Sequence, residues 1–160
     1  MFQMLDTLPI IPLFQGLTSA ETDLLKSLFE SYYCRADTDI FGQGDPALYL
    51  YLILNGAVII RYKPYDGVAM TLTRLRSGDV FGWSAVVGRK RYTSSVISET
   101  AIESLRLRRE DLWFLVEEHP EIGKTIIDRL ARMVSPRWTN AHAQIELLLD
   151  SHSRKRGRKQ

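Results

Sequence analysis

Residues 81–96 read FGWSAVVGRKRYTSSV and combine side chains that suit the binding of an anion. An aromatic residue and a glycine, Phe81 and Gly82, open the stretch, and small residues then form a turn. Three cations follow at 89–91, and hydroxyl side chains occupy 93–95. Arginine, lysine and hydroxyl donors are the groups that proteins use to hold a phosphate. The stretch is therefore a candidate phosphate site.

The other reactive side chains form no catalytic or metal-binding pattern. The three histidines, His119, His142 and His152, are scattered, without a carboxylate or a nucleophile at a recognisable spacing. Cys34 is the single cysteine, which excludes an intrachain disulfide and a cysteine-rich metal site. We interpret Cys34 as a small hydrophobic residue in a strand. We expect no enzyme activity, no metal and no certain cofactor.

The composition is that of one compact soluble domain, with 45% hydrophobic and 25% charged residues in a chain of 160. No apolar run reaches the roughly 18 residues of a membrane span, because Asn55 and Gly56 interrupt the most hydrophobic stretch, 48–60. The N-terminus lacks the basic leader and apolar core of a secretory signal. We therefore expect a cytoplasmic protein with no membrane segment.

The net charge of +2 is unevenly distributed along the chain. Five cations lie in the last seven residues, and the rest of the chain carries 16 basic against 19 acidic residues, a net charge of −3. Because residues 151–160 show no apolar periodicity, we predict a disordered basic tail after a domain that spans 1–150. Such a tail can contact phosphates non-specifically, so nucleic-acid binding is an alternative function, which we do not favour.

The first predicted element is an amphipathic helix over residues 19–31. Thr18 and Glu21 have the spacing of a capping box, in which each side chain bonds the backbone N–H of the other residue. The spacing of the following leucines and phenylalanine predicts an apolar face. This face consists of Leu24, Leu25, Leu28 and Phe29.

Residues 32–107 change to short β-rich segments, which we interpret as a barrel. Glycine-containing turn signals recur about every ten residues, a rhythm typical of an antiparallel sandwich or barrel. The pair Asp66 and Gly67 predicts a hairpin turn. The predicted strands cover residues 49–54, 57–62, 69–75, 94–98 and 101–107.

Residues 110–150 become helical again. A short helix is predicted over 110–118, and Pro120 suits the first position of the next helix, with His119 before it. Apolar residues then recur at steps of three and four as far as Leu149, and we expect Pro136 to kink this long helix. So long a stripe predicts a homodimer through the C-terminal helix. The alternative is that its second half folds back on its own barrel.

This series of elements resembles the cyclic-nucleotide-binding domain, the sensor of catabolite-activator-type regulators, cyclic-nucleotide-dependent kinases and gated channels. The resemblance covers about residues 12–150. It implies a mainly β fold with flanking helices: a double-stranded β-helix, or jelly roll, plus an N-terminal helix and a long C-terminal helix. It rests on Pro12-Leu13-Phe14, Gly16-Leu17-Thr18, Ile40-Phe41, Gln43-Gly44-Asp45, the Tyr-x-Ile-x-x-Gly pattern of residues 51–56, Gly78-Asp79-Val80-Phe81-Gly82 and His119-Pro120.

In this family the nucleotide lies in a phosphate-binding cassette, which corresponds to residues 81–95. The resemblance implies a glutamate for the ribose 2′-hydroxyl directly after Phe-Gly, and an arginine for the cyclic phosphate before a Thr/Ser run. This chain has Trp83 and Tyr92 at those two positions. Arg91 can substitute only after a register change, because neighbouring side chains of a strand point to opposite faces. The candidate ligand-binding residues are Phe81, Gly82, Trp83, Ser84, Ala85, Arg91, Tyr92, Thr93 and Ser94.

The resemblance implies a stand-alone regulatory sensor that binds a non-standard ligand, or a cyclic nucleotide weakly, and acts on an unidentified protein partner. The aromatic rings and hydroxyls of the cassette suit a planar ligand of low charge. Trp138 is a candidate cap over that ligand, or a residue of the dimer seam. The alternative is an interaction scaffold whose cassette is filled by Trp83 and Tyr92. Since only residues 151–160 follow the long helix, we expect no helix-turn-helix DNA-binding domain.

Overall fold

The computed structural model describes residues 12–134, which form eight strands and three α-helices. A 3₁₀ turn (Pro12–Phe14) precedes helix α1 (Ser19–Leu28), and helices α2 (Arg109–Glu118) and α3 (Pro120–Met133) follow the strands. The strands are β1 (Phe29–Cys34), β2 (Asp39–Phe41), β3 (Tyr49–Asn55), β4 (Val58–Tyr62), β5 (Met70–Leu75), β6 (Val80–Phe81), β7 (Ser95–Ser98) and β8 (Ile102–Arg108).

The strands build two four-stranded sheets in the orders β1-β8-β3-β6 and β2-β7-β4-β5. Every strand pair is antiparallel, and strands distant in the chain lie side by side in both sheets. Helices flank this double-sheet structure. The predicted jelly roll with flanking helices is confirmed.

Strand β3 separates the two halves of the core. Leu50 and Leu52 point toward the helices, whereas Tyr51 and Ile53 point toward the opposite sheet, and all four side chains are buried. Successive side chains of a strand point to opposite faces, so a strand covered on both sides is apolar throughout. The first sheet is therefore the layer between the helices and the interior of the barrel.

The N-terminal helix begins as predicted but ends earlier. The Glu21 backbone N–H donates to the Thr18 hydroxyl (3.1 Å), and the Thr18 N–H donates to the Glu21 carboxylate (2.9 Å), which completes the capping box. The prediction that the helix continues to residue 31 is wrong. Residues 29–34 instead pair with β8 over six positions, because the backbone hydrogen bonds of that ladder replace those of another helical turn.

The two C-terminal helices start where the proline and acidic residues predicted. His119 is the N-cap of α3, and Pro120 is its first residue. The apolar face of α3, which includes Ile122, Ile126 and Leu130, is buried in the core of its own domain. This part of the predicted dimer stripe is thus already covered within the domain.

Helix α3 ends at Met133, before Pro136. A proline ring clashes with the carbonyl four residues earlier and disfavours helical geometry in the preceding residue, so it limits a helix from its C-terminal side. The second half of the predicted stripe, Trp138 and the basic tail lie outside the described residues.

Three strands escaped prediction or were misplaced, namely β1, β2 and β6. The hairpin between β4 and β5 is confirmed, and the Gly67 N–H donates to the Pro64 carbonyl (3.2 Å) to close its turn. Within residues 12–134, no helix has both the length and the apolar character needed to cross a membrane.

The capping box gives a first prediction. We expect Thr18→Ala to lower the free energy of unfolding by about 1 kcal/mol, because one N–H of the first turn loses its acceptor. Urea denaturation followed by circular dichroism measures the change. Thr22→Ala is the matched control, since the Thr22 hydroxyl bonds no described residue, and we expect a change within about 0.5 kcal/mol. Equal losses in both variants would contradict this account.

Candidate functional site

The cassette begins with a sharp reversal of the chain after β6. Gly82 has a φ of 82° and a ψ of 28°, the left-handed conformation that glycine tolerates best. A Cβ atom at this position would lie 2.7 Å from the Tyr49 carbonyl oxygen. A single-turn 3₁₀ helix (Trp83–Ala85) follows at once. Gly82 therefore allows β6 to run against β3 and then turn away within one residue.

Tyr92 stands inside the barrel, where only 5% of its surface is exposed. Its ring stacks on Phe41, with the ring centres 3.6 Å apart and the planes 11° from parallel. The Tyr92 hydroxyl donates to the Tyr49 carbonyl (2.6 Å) and accepts from the Tyr49 N–H (2.9 Å). Burial raises the pKa of Tyr92 well above its usual value, so the phenol stays neutral. Both ends of this side chain are thus held.

An aromatic cluster occupies the remaining interior next to Tyr92. Phe81 stacks on Tyr51 with a centre distance of 4.7 Å, and Phe41 lies 6.0 Å from each of these two rings. The free volume left in the cassette is about 10 Å³. A single water molecule requires roughly 10–15 Å³. The cassette therefore has room for one water molecule at most.

Trp83, which stands at the glutamate position, is only half-buried. It packs against the core on the helix side and borders the small free volume of the cassette. Of the two rings considered as fillers of the cassette, Tyr92 belongs to the interior cluster and Trp83 lies at its edge.

The three consecutive cations lie outside the cassette volume. The Arg91 guanidinium donates to the Gly44 carbonyl (2.7 Å) on the exposed side, while Tyr92 points inward. The strand alternation of the sequence predicted this opposition. The carbonyl of Lys90 accepts from the Ala47 N–H (2.9 Å), which fixes the segment as part of a short ladder. None of the three cations can neutralise an anion in the cassette in this arrangement.

Two buried hydroxyls face the remaining space. Ser84 and Ser94 are 8% and 5% exposed, and both line the free volume, as does Thr93. Neither serine hydroxyl bonds another residue in the part of the chain that the structure describes. Buried polar groups without a protein partner commonly bind water or a ligand.

Sequence reasoning missed the residues that hold Tyr92 and the charged group beside them. Phe41 and Tyr49 are 51 and 43 positions away from Tyr92, so no local pattern connects them. Arg106 lies over the ring of Tyr49 at 4.1 Å and forms an ion pair with Glu30 at 3.0 Å. Within residues 12–134, His, Cys, Asp and Glu side chains form no group of three suited to a metal.

The Gly82 geometry gives a second prediction. Gly82→Ala and Gly88→Ala both place a side chain at a positive φ, 82° and 79°, which costs each about 1–2 kcal/mol. Only Gly82→Ala adds a backbone clash, because nothing lies within 4 Å of a Cβ at Gly88. We expect Gly82→Ala to lose about 1–3 kcal/mol more in urea denaturation. Equal losses would show that the contact with Tyr49 is unimportant.

Comparison with known proteins agrees with this fold and site. A sequence model of the cyclic nucleotide-binding domain matches residues 33–119, more than half of the chain. The "Cyclic AMP receptor protein" of Thermus thermophilus is 31% identical over 145 residues, which cover 91% of this chain and 65% of that protein. The chain thus spans less than two thirds of the length of this relative.

Solved structures share the fold. A cyclic nucleotide-binding domain from Methylobacillus flagellatus superposes with a TM-score of 0.71 at 23% identity, covering 89% of this chain and 80% of the other. The regulatory subunit of a cAMP-independent protein kinase A from Trypanosoma cruzi, bound to guanosine, gives a TM-score of 0.70 at 21% identity, covering 90% and 50%. By its match to the domain sequence and by its architecture, this chain belongs to the cyclic nucleotide-binding domain family.

Proposed function

We propose that this chain is a regulatory domain whose cassette is occupied by its own Tyr92, and that it binds cyclic AMP and cyclic GMP weakly or not at all. The observation that carries the proposal is the position of Tyr92, stacked on Phe41 and bonded twice to the Tyr49 backbone. The domain then acts through contacts with a protein partner.

Space argues against a cyclic nucleotide in this arrangement. Pockets for small ligands usually enclose roughly 300–1,000 Å³, and the cassette holds about 10 Å³. A nucleotide therefore requires Tyr92 to leave the barrel. That movement breaks one stacking contact and two hydrogen bonds, and the cost is subtracted from the affinity of the ligand.

Charge argues in the same direction. A cyclic phosphate is an anion, and an anion buried without a cation or a full set of donors is strongly disfavoured. Arg91 faces away, and Tyr92 occupies the position of the family's arginine. A charge-assisted hydrogen bond contributes about 1.5–3 kcal/mol, so loss of the phosphate and ribose contacts weakens binding by roughly a hundredfold to ten-thousandfold.

A homodimer through residues beyond α3 is a further part of this proposal. The stripe within α3 is consumed by the domain core, but the apolar spacing continues at Trp138, Ala141, Ile145 and Leu148. An apolar stripe of this spacing favours pairing with a second helix. Trp138 is accordingly proposed for the dimer seam, with a ligand cap as the alternative.

A neutral ligand is the second candidate function, and the two serines of the cassette favour it. The buried hydroxyls of Ser84 and Ser94 are available to a ligand that displaces Tyr92. A nucleoside offers a planar base and hydroxyls without a phosphate charge. The guanosine-bound relative named above has the same fold, which makes guanosine the first ligand to test.

Calorimetric titration tests the proposal. We expect no saturable heat when the wild-type chain is titrated with cyclic AMP or cyclic GMP at up to about 1 mM, whereas Trp83→Glu/Tyr92→Arg gains at least about a hundredfold in affinity. Trp83→Glu/Tyr92→Phe is the matched control, since it lacks the guanidinium and should not bind. Circular dichroism verifies that each variant folds.

Two results of this titration would contradict the proposal. Tight binding of either cyclic nucleotide to the wild-type chain would overturn the occupied cassette. A folded Trp83→Glu/Tyr92→Arg variant without any gain in affinity would show that other features exclude the nucleotide. Saturable binding of guanosine to the wild-type chain would instead favour the second candidate.

The role of Tyr92 as a filler also predicts its contribution to stability. We expect Tyr92→Phe to lower the free energy of unfolding by about 1–3 kcal/mol at pH 7, because the Tyr49 N–H and carbonyl lose their buried partner. Urea denaturation measures the loss. Tyr65→Phe, at a side chain that is 99% exposed, is the control and should leave the stability unchanged.

The same variant has a distinctive pH dependence. Burial raises the pKa of Tyr92 in the folded state, while an unfolded tyrosine titrates near about pH 10. Above that pH the unfolded chain releases a proton that the folded chain retains, so stability falls as pH rises. Tyr92→Phe should reduce this alkaline loss. Part of it should persist, since burial raises the pKa of Tyr51 and raises that of Tyr32 to about 12.

A further inference from the structure

An open groove lies far from the cassette, between the start of α1 and the junction of α2 with α3. Its volume is about 560 Å³, within the roughly 300–1,000 Å³ range of binding sites. Leu24 and Ile122 contribute apolar surface to it, and the carboxylates of Glu21, Glu118 and Glu121 line it. We call this surface the acidic groove.

The carboxylates of the acidic groove are not balanced by neighbouring cations. None of the three forms an ion pair with a residue between 12 and 134. Glu21 and Glu121 lie in the first turns of α1 and α3, where the helix dipole favours a negative charge. Glu118 has no such explanation.

Glu117 and Glu118 end helix α2, where the dipole favours cations, and no basic residue occupies that last turn. Two carboxylates at this end destabilise the isolated helix. Their presence is accounted for if a cation from elsewhere binds there. Helix stability therefore indicates a basic occupant for the acidic groove.

Exposed aromatic side chains extend the acidic groove along α2. Trp113 and Phe114 are 45% and 47% exposed, and the ring of Phe114 lies 6.5 Å from that of His119, which lines the groove. Arginine and lysine bind favourably over such rings. The combined surface suits a segment that is rich in arginine and lysine.

We propose that the basic segment 154–159 of this same chain docks in the acidic groove. It carries five cations among six residues, which complement the carboxylates of the groove and of the end of α2. A docked segment neutralises Glu118 where α2 ends. It also withdraws the same cations from polyanions, so docking regulates the access of the tail to other partners.

The length of the chain allows this contact. Helix α3 begins beside the groove at Pro120 and ends at Met133, about 20 Å away at roughly 1.5 Å per residue. Twenty residues separate Met133 from Arg154. They reach at most about 70 Å at roughly 3.4 Å per residue, more than three times the return distance. The inference does not depend on the state of the cassette.

Carbodiimide cross-linking of the full chain tests the proposal. The reagent joins a lysine amine to a carboxylate as an amide with loss of water, and only between groups in direct contact. We expect chymotryptic peptides that link Lys155 or Lys159 to Glu118 or Glu121. The links should disappear at 1 M salt, where the Debye length falls to about 3 Å. Absence of these links at low salt would overturn the proposal.

Mixing ¹⁴N- and ¹⁵N-labelled chains distinguishes the tail of the same chain from that of a second copy. Links within one isotope support the proposal, whereas mixed-isotope links would overturn it and assign the groove to a neighbouring copy. The measurement uses the wild-type chain, so it does not depend on the folding of a variant.

A pair of matched variants provides an independent measurement. Glu118→Gln/Glu121→Gln should release the tail and delay elution from heparin. Glu103→Gln/Asp128→Asn is the control, because it removes the same charge from two exposed positions that do not line the groove. Equal retention of the two variants would contradict docking.

Discussion

The backbone of Tyr49 is the point on which the cassette depends. Its carbonyl oxygen excludes any side chain at Gly82, and its carbonyl and N–H hold the two sides of the Tyr92 hydroxyl. Tyr49 opens β3, the strand that separates the helix-side core from the barrel. A single backbone segment thus sets both the entry of the chain into the cassette and the side chain that closes it.

This arrangement changes what the family's site can do. Aromatic stacking and neutral hydrogen bonds take the place of a charge-assisted contact, and they are satisfied without a ligand. A site that is already satisfied gains little from a cyclic nucleotide. The serine hydroxyls are the exception, since they alone in the cassette lack a protein partner among the described residues. Any ligand of this domain must compensate for displacing Tyr92.

The charged groups of the domain are arranged outside the cassette. Arg91 bonds the Gly44 carbonyl, and Arg106 is paired with Glu30. The carboxylates of the acidic groove, by contrast, lie at the other side of the helix-covered core, beside the start of α3. The surfaces that bind partners through charge are therefore separate from the position that the family uses for its ligand.

The sequence by itself determined the elements that depend on local chemistry. The capping box at Thr18, the start of α3 at Pro120 and the hairpin at Gly67 follow from interactions within a few residues, and five strands were located to within one residue. The outward position of Arg91 followed from strand alternation alone. The replacement of both ligand-determining residues, at 83 and 92, was also visible without a structure.

Only the tertiary structure decided the rest, because it depends on residues that are distant in the chain. Residues 29–31 fit a helical pattern and became strand when β8 offered backbone partners. The β2 and β6 strands are too short to carry a period of their own. Whether Tyr92 lines an open pocket or fills a closed one depended on Phe41 and Tyr49, which folding alone brings beside it.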